Sequence, residues 1–371
     1  MQESFEIVSS SGNYAVTIGR DLLTGMIATN PAAIFLIDER LQSTLPPSVA
    51  KRIVVEATER RKSLEVMPEI ILALRELGAN RSSHLIAIGG GVIQDIATFA
   101  ASIYMRGIRW TYMPTTLLGM ADSCIGGKSS INVLGYKNLV GNFYPPEEVV
   151  IDVDFMRTLD AEQVIGGLFE AVKICYARGH QPFVDYLAEC PSWPLEADVA
   201  QRLLTRSLRT KKWFIETDEF DQKERLLLNL GHTFGHALES ATNFGVSHGV
   251  AVGIGMLIAI DYAQRRDRLS SKGHERAAQL EEHVRAMMSL VTAHGVRWPD
   301  VDLREVMRKF ENDKKHRSDA YRVVLPISDG TLDLVSEPRD NMTRQHLRIS
   351  YETVFASLGI VTRVETTDAL G

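Results

Sequence analysis

The sequence predicts an α/β domain with a mostly parallel sheet over residues 1–157, followed by a mainly helical domain over 158–371. Three observations carry this reading. A chain of 371 residues exceeds the usual size of one domain. Its first part alternates short β-branched or apolar runs with helical periodicity. From about Leu159 that alternation gives way to long segments with a 3.6-residue period.

Taken in order, AAIFLID (32–38) reads as a buried strand ending in Asp38. HLIAIGGG (84–91) is a second strand running into glycines, and an amphipathic helix follows from about Ile93 to Tyr104. RWTYMPTT (109–116) and EVVIDVDF (148–155) are further strands. Strands separated by helices favour a parallel sheet. Beyond the boundary, helical periodicity covers 160–178, 198–217, 226–242, 249–267 and 272–294, with VVLPIS (323–328) as a strand exception. The tail RVETTDALG is expected to fray.

Composition narrows the class. Apolar content of 45% with 24% charged residues suits a soluble globular enzyme, and the net charge of -6 argues against a nucleic-acid partner. Cys124, Cys175 and Cys190 form no CxxC pair, so neither a disulfide framework nor a thiolate zinc site is expected. The N-terminus has no basic segment followed by an apolar run, and GVAVGIGMLIAI is too short and glycine-rich for a membrane span. A cytoplasmic location without a membrane partner follows as the expectation.

Four constellations suggest chemistry. Gly89, Gly90 and Gly91 stand between a strand and a helix, where the backbone can approach a diphosphate at the helix N-terminus. A tight strand–helix turn explains the same glycines. Asp38, at its strand end, suits a ribose hydroxyl or a local cap. From Tyr104 to Tyr144, glycine-rich turns carry Arg106, Asp122, Lys128, Lys137 and Asn138 among apolar residues, which suits a phosphate- or carboxylate-bearing substrate or a solvated loop.

In the helical half, Glu170 and Lys173 lie three apart on one helix face, as an ion pair or as a ligand and its neighbour. His232 and His236 lie four apart in LLLNLGHTFGHALES, and SHGVAVGIG adds His248. Three imidazoles and a buried-looking carboxylate make a plausible Zn²⁺ site. The spacing leaves open whether both, one or neither of the paired histidines binds the ion. Read as one helix continuing from Arg225, the segment to 242 puts Asn229 about two turns and Arg225 about three turns ahead of His236.

Together, GGGVIQD, RGIRWTYMPTTLLGMADSCIGGKSSIN, KNLVGNFYPP, FEAVK, RLLLNLGHTFGHA and the later SHG resemble 3-dehydroquinate synthase and its sugar-phosphate cyclase relatives. The resemblance implies an N-terminal NAD-binding domain, a C-terminal metal-binding domain and a homodimer. It makes Glu170, His232 and His248 the ligands of a divalent metal, zinc first and cobalt second, and moves His236 to a catalytic place beside the substrate. Asp122, Lys128, Lys173, Lys211, Arg225 and Asn229 match substrate-pocket positions. Arg106 and Asn138 fall on the phosphate side, and one or both of Lys314 and Lys315 match a late pocket lysine. His236, Lys128, Asp122, Asn138, Lys173, Lys211 and Arg225 form the implied catalytic set. For NAD, the matching positions are Asp38, Glu59, Lys62, Gly89, Gly90, Gly91, Val92, Asp95, Thr115 and Thr116, with Lys128 and Lys137.

The implied substrate is a small phosphorylated sugar acid. A C5 hydroxyl is oxidised, the acidified C6–H is removed as phosphate leaves, C5 is reduced again, and an aldol closure forms 3-dehydroquinate. Other cyclases, of the amino-dehydroquinate, 2-deoxy-scyllo-inosose or valiolone type, and a metal-dependent polyol dehydrogenase are the alternatives. Two residues depart from the family pattern. Gln94 replaces a glycine, which puts a bulky amide at the helix start, and Val250 replaces a glutamate two residues beyond His248.

Overall fold

The computed structural model describes residues 2–189 and 191–363. The chain forms two compact units: one runs to Leu159 and adds Leu195–Phe220, and the other comprises Asp160–Pro194 and continues from Asp221. The strands are β1 Glu3–Ile7, β2 Tyr14–Gly19, β3 Ile34–Asp38, β4 Arg52–Val55, β5 His84–Gly89, β6 Arg109–Pro114, β7 Ile131–Val133, β8 Tyr136–Val140, β9 Glu148–Asp152, β10 Ala320–Ile327 and β11 Thr331–Pro338. The α-helices are α1 Leu22–Thr29, α2 Met67–Glu76, α3 Gly91–Ile103, α4 Ala161–Arg178, α5 His180–Ala188, α6 Ala197–Thr217, α7 His232–Ala241, α8 His248–Arg265, α9 Ser271–Ala293, α10 Leu303–Glu311 and α11 Asn341–Ser357.

The first unit is built on a seven-stranded sheet in the order β1-β2-β9-β6-β5-β3-β4. All pairings are parallel except the β1–β2 hairpin at one edge. Central strands such as β5 are buried along their apolar run, as a doubly covered parallel sheet requires. The hairpin is absent from the alternation read in the sequence, because ESFEI mixes charge with apolar residues and pairs only through its neighbour. A short antiparallel ribbon, β7–β8, stands apart from the sheet.

Helix α6 corrects the single division at 157. Its Ser207 Oγ donates to the Ala121 carbonyl at 2.9 Å, and Lys211 Nζ donates to the carbonyls of Asp122 and Ile125 at 2.5 and 3.2 Å. The helix therefore joins the first unit although it is far along the chain. Periodicity reports that a helix is amphipathic, not which core its apolar face meets.

In the second unit α8 is the central helix, packed against α4, α7, α9 and α11. It is apolar all round, which is stable only for a helix covered on every side. Helix α4 begins with a capping box between Asp160 and Gln163. The predicted strand at 323–328 is β10, paired antiparallel with β11.

The segment 226–242 is not one helix. A 3₁₀ turn spans Glu224–Asn229, Gly231 adopts φ 77°, and α7 begins at His232. A Cβ on Gly231 would lie 2.5 Å from the Val252 carbonyl oxygen, so the backbone turns against α8 where only glycine fits. Arg225 and Asn229 are therefore not on the helix face that carries His236. No helix among the described residues is long and apolar enough to cross a membrane. Cys124 and Cys175 are buried thiols outside any disulfide, whereas Cys190 and residues beyond Arg363 lie outside the described residues.

Candidate functional site

The glycine run sits between β5 and α3, as its composition demands. A Cβ on Gly89 would meet Ile93 at 2.4 Å and one on Gly90 would meet Thr116 at 2.8 Å, whereas Gly91 faces open space. The α3 N-terminus has no side-chain cap and a Cβ on Gly91 would meet nothing within 4 Å, so this glycine cradle leaves room for a ligand at the helix start. Thr115 and Thr116 border this cradle: Thr115 N donates to the Gly89 carbonyl at 3.0 Å, and Thr116 Oγ1 accepts from Gly119 N at 3.2 Å. Val92 follows in the first turn of α3.

Beside α3 lies a charged network. Buried Lys62 reaches Asp95 at 3.0 Å, Glu59 at 3.5 Å and Asn138 Oδ1 at 3.1 Å. Lys137 approaches Glu59 at 3.4 Å. Asn132 joins both sides, donating to Glu59 Oε1 at 2.9 Å and accepting from Asn138 N at 2.9 Å. Burial raises the Asp95 pKa to about 6, against the opposing pull of Lys62. Asp38 accepts from the Arg40 backbone N–H at 3.1 Å and so caps its own turn.

Asp122 stands in the π-turn Gly119–Ser123 and meets Lys211 of α6 at 2.5 Å. Gln94 turns away from the glycine cradle despite its size. Its side chain is buried, with Nε2 donating to the Ser123 carbonyl at 2.6 Å and Oε1 accepting from Ser123 Oγ at 2.6 Å. That pair ties α3 to the turn carrying Asp122. Lys128 is exposed, its ammonium 5.9 Å from the Phe143 ring centroid. Arg106 is exposed at the end of a turn in which Met105, Arg106 and Gly107 all have positive φ.

The second unit gathers the metal-ligating residue types. Single ligand nitrogens of His232, His236 and His248 all lie within 4.8 Å of one another. Glu170 enters from α4, 1% exposed, and its Oε2 accepts from Lys173. Its Oε1 is buried without a hydrogen-bond partner, 3.7 Å from His232 Nε2 and 3.5 Å from His248 Nε2. Lone carboxylate oxygens in such places cost several kcal/mol unless a cation meets them.

Two contacts select the tautomers. His232 Nδ1 faces the Leu230 carbonyl at 3.3 Å, so the proton belongs on Nδ1 and Nε2 presents its lone pair. His248 Nδ1 faces Glu239 Oε2 at 3.2 Å, so in the neutral ring the proton belongs on Nδ1. Burial, reinforced by Lys173 and the other histidines, holds His232 neutral. Burial also pulls the His248 pKa down, but the neighbouring carboxylates of Glu170 and Glu239 outweigh it and raise the value to about 9. A proton there balances Glu170 and must leave when a cation binds.

Around this set, Lys315 Nζ donates to Asn229 Oδ1 at 2.9 Å, and burial lowers the lysine pKa. Lys314 is exposed, so Lys315 is the lysine that reaches Asn229. Arg225 is buried in the turn before Asn229. The sequence reading missed Glu239, which follows His236 by three residues on the same helix, a spacing that was available as a signal. It missed Asn132 and Ser123 because their partners come from distant segments.

Comparison with known proteins accounts for both units. The family descriptions "3-dehydroquinate synthase N-terminal" and "3-dehydroquinate synthase C-terminal" match residues 52–166 and 167–316. A 3-dehydroquinate synthase of Natranaerobius thermophilus is 33% identical over 89% of this chain and 94% of its own length. The chain belongs to the 3-dehydroquinate synthase family. The family's enzyme from Pyrobaculum islandicum is 35% identical over 85% of this chain and 89% of its own length.

Solved structures extend the likeness in fold. A 2-deoxy-scyllo-inosose synthase, complexed with carbaglucose-6-phosphate, NAD+ and Co2+, has a TM-score of 0.79 at 21% identity and covers 94% of this chain and 100% of its own. A 2-epi-5-epi-valiolone synthase from Streptomyces hygroscopicus with NAD+ and Zn2+ bound has a TM-score of 0.72 at 24% identity, covering 95% of this chain and 98% of its own. The chain thus shares its fold with these two synthases.

Proposed function

We propose that this chain is a 3-dehydroquinate synthase, a phosphate-eliminating cyclase that converts a 3-deoxy-heptulosonate 7-phosphate to 3-dehydroquinate with NAD and a divalent metal. The observation that carries the reading is the buried Glu170 Oε1, which accepts no hydrogen bond and faces Nε2 of His232 and His248, in a chain of this family. Glu170, His232 and His248 would hold the ion, and the cradle at Gly89–Val92 with Thr115 and Thr116 would hold the dinucleotide. Bound there, NAD supplies reversible hydride exchange and the ion supplies Lewis-acid polarisation of the hydroxyl being oxidised.

The chain's own residues do the rest. On the family resemblance Arg106, Lys128 and Asn138 would meet the anionic groups of the substrate and Arg225, Asn229 and Lys315 would orient it, while Lys211 is held by Asp122. His236 stands against His232 with ring centroids 5.2 Å apart and moves a proton beside the departing phosphate. Lys173 neutralises one oxygen of Glu170 and leaves the other directed at the histidines. Zinc as the resident ion, a homodimeric assembly and a cytoplasmic location complete the reading on the family resemblance, and light scattering checks the assembly.

Phosphate release from the heptulosonate phosphate tests the assignment, and a chelator or His232→Ala should abolish it. His236→Ala should keep the metal while kcat falls about 10²–10⁴-fold, the usual worth of a general acid–base group. Equal metal loss in both variants would overturn the division of roles. A substrate panel including sedoheptulose 7-phosphate and glucose 6-phosphate completes the test, and turnover of either in place of the heptulosonate would assign another cyclase.

A further inference from the structure

The family pattern puts a glutamate two residues beyond His248, and this chain has Val250 there, fully buried among apolar neighbours on α8. His248 nevertheless has a carboxylate partner. Glu239, near the end of α7, presents Oε2 to His248 Nδ1 at 3.2 Å. Its side chain is 13% exposed and that of His248 36%, so the contact is partly shielded from water. The opposite ring nitrogen, Nε2, is the atom that faces Glu170 Oε1 at 3.5 Å.

We infer that Glu239 is the positioning residue of the metal centre, orienting His248 so that Nε2 points at the ion. An imidazole has two nitrogens, and a carboxylate acceptor at Nδ1 fixes the proton there and leaves the Nε2 lone pair for a cation. It also locks the ring plane and makes Nε2 more basic. His232 obtains the same tautomer from the Leu230 carbonyl, a neutral acceptor. The two imidazoles are thus held by different devices, and only that of His248 is removable by a side-chain change. The inference rests on the metal reading above, whether the third ligand beside the two histidines is Glu170 or His236.

The test measures metal affinity, not turnover. The full-length protein is stripped with chelator, and Zn²⁺ affinity is read by competition with a chromophoric chelator for the wild type, Glu239→Leu and Glu239→Gln. Leucine keeps the volume and removes the acceptor; glutamine keeps a neutral one. Glu239→Leu should bind Zn²⁺ about 10–100-fold more weakly, the usual effect of losing an orienting partner, and Glu239→Gln should recover part of that loss. Co²⁺ loaded into Glu239→Leu should show a shifted ligand-field spectrum, which a merely structural role would not produce. If metal-free Glu239→Leu fails to fold, Glu239→Asp, which withdraws the acceptor by one methylene, replaces it. Wild-type protein that binds Zn²⁺ while the Leu or Asp variant binds within twofold overturns the inference alone. Wild-type protein that binds no divalent ion overturns the metal reading itself.

Discussion

Two charged clusters, one in each unit, are built from similar residues and are resolved differently. In the first unit Glu59, Lys62, Asp95, Lys137 and Asn138 answer one another, with Asn132 closing the circuit. In the second, Lys173 answers one oxygen of Glu170, and the other accepts no hydrogen bond and faces Nε2 of His232 and His248 at 3.7 and 3.5 Å. Closed networks stabilise a scaffold by themselves, whereas a cluster of acceptors with one oxygen left over is arranged around a cation. Identical residue types therefore do not report function; the completeness of their pairing does.

The largest effect should come from opening the closed network. Lys62→Met leaves Asp95, its side chain 18% exposed, beside Glu59 without its cation, and about 3 kcal/mol of stability should be lost, the lower end of the cost of stranding one partner of a buried pair. Calorimetry should find that loss independent of divalent metal. A similar loss in Lys62→Met that zinc restores would erase the distinction between the clusters.

The second cluster should respond to metal instead. Free Zn²⁺ at 100 times its Kd should stabilise the wild type by about 2.7 kcal/mol by mass action, and His232→Ala should show no such gain. An unchanged melting temperature after chelation would remove the main support for a cation at Glu170.

A histidine outside both clusters sharpens the contrast. His283 on α9 packs edge-on to Tyr186 at 5.5 Å, and burial lowers its pKa to about 4. A group held neutral in the fold takes up a proton when unfolded, so its stability is complete above pH ~6.5 and is lost as pH falls towards 4. Replacing it by phenylalanine should flatten this acid-side loss, at most about 3 kcal/mol, in urea titrations at several pH values.

The smallest effect concerns the clamp on the Asp122 turn. Gln94→Ala strands the Ser123 hydroxyl and should cost about 1–3 kcal/mol. If Gln94 merely fills space, Gln94→Ala and Gln94→Leu should melt apart; if its hydrogen bonds matter, both should melt alike, below the wild type.

Much of the scaffold was legible because periodicity is local. Strands 84–91 and 109–116 and helices such as 160–178 emerged with ends displaced by a few residues, since a buried parallel strand is a continuous apolar run. The edge hairpin β1–β2 and strand β11 were not legible, because each carries charge and owes its strand state to a partner. Among site residues, Glu170 and the three histidines read as a group by residue type alone. Lys211 read as one more cation on an amphipathic helix, and only the carbonyls of Asp122 and Ile125 distinguish it from its neighbour Lys212.

The sequence by itself determined the two-part architecture, the glycine turn and the set of imidazoles and carboxylate, because hydropathy period and residue chemistry are written in neighbouring positions. The tertiary structure decided the rest. It broke 226–242 at Gly231, where the backbone packs against α8, and so placed His232 and His248 each at the first position of a helix. It returned α6 to the first unit, turned Gln94 onto Ser123, chose Lys315 over Lys314 for Asn229, and set Glu239 against His248. Each of these depends on which distant backbone approaches within hydrogen-bonding distance, and a one-dimensional pattern carries no such distances.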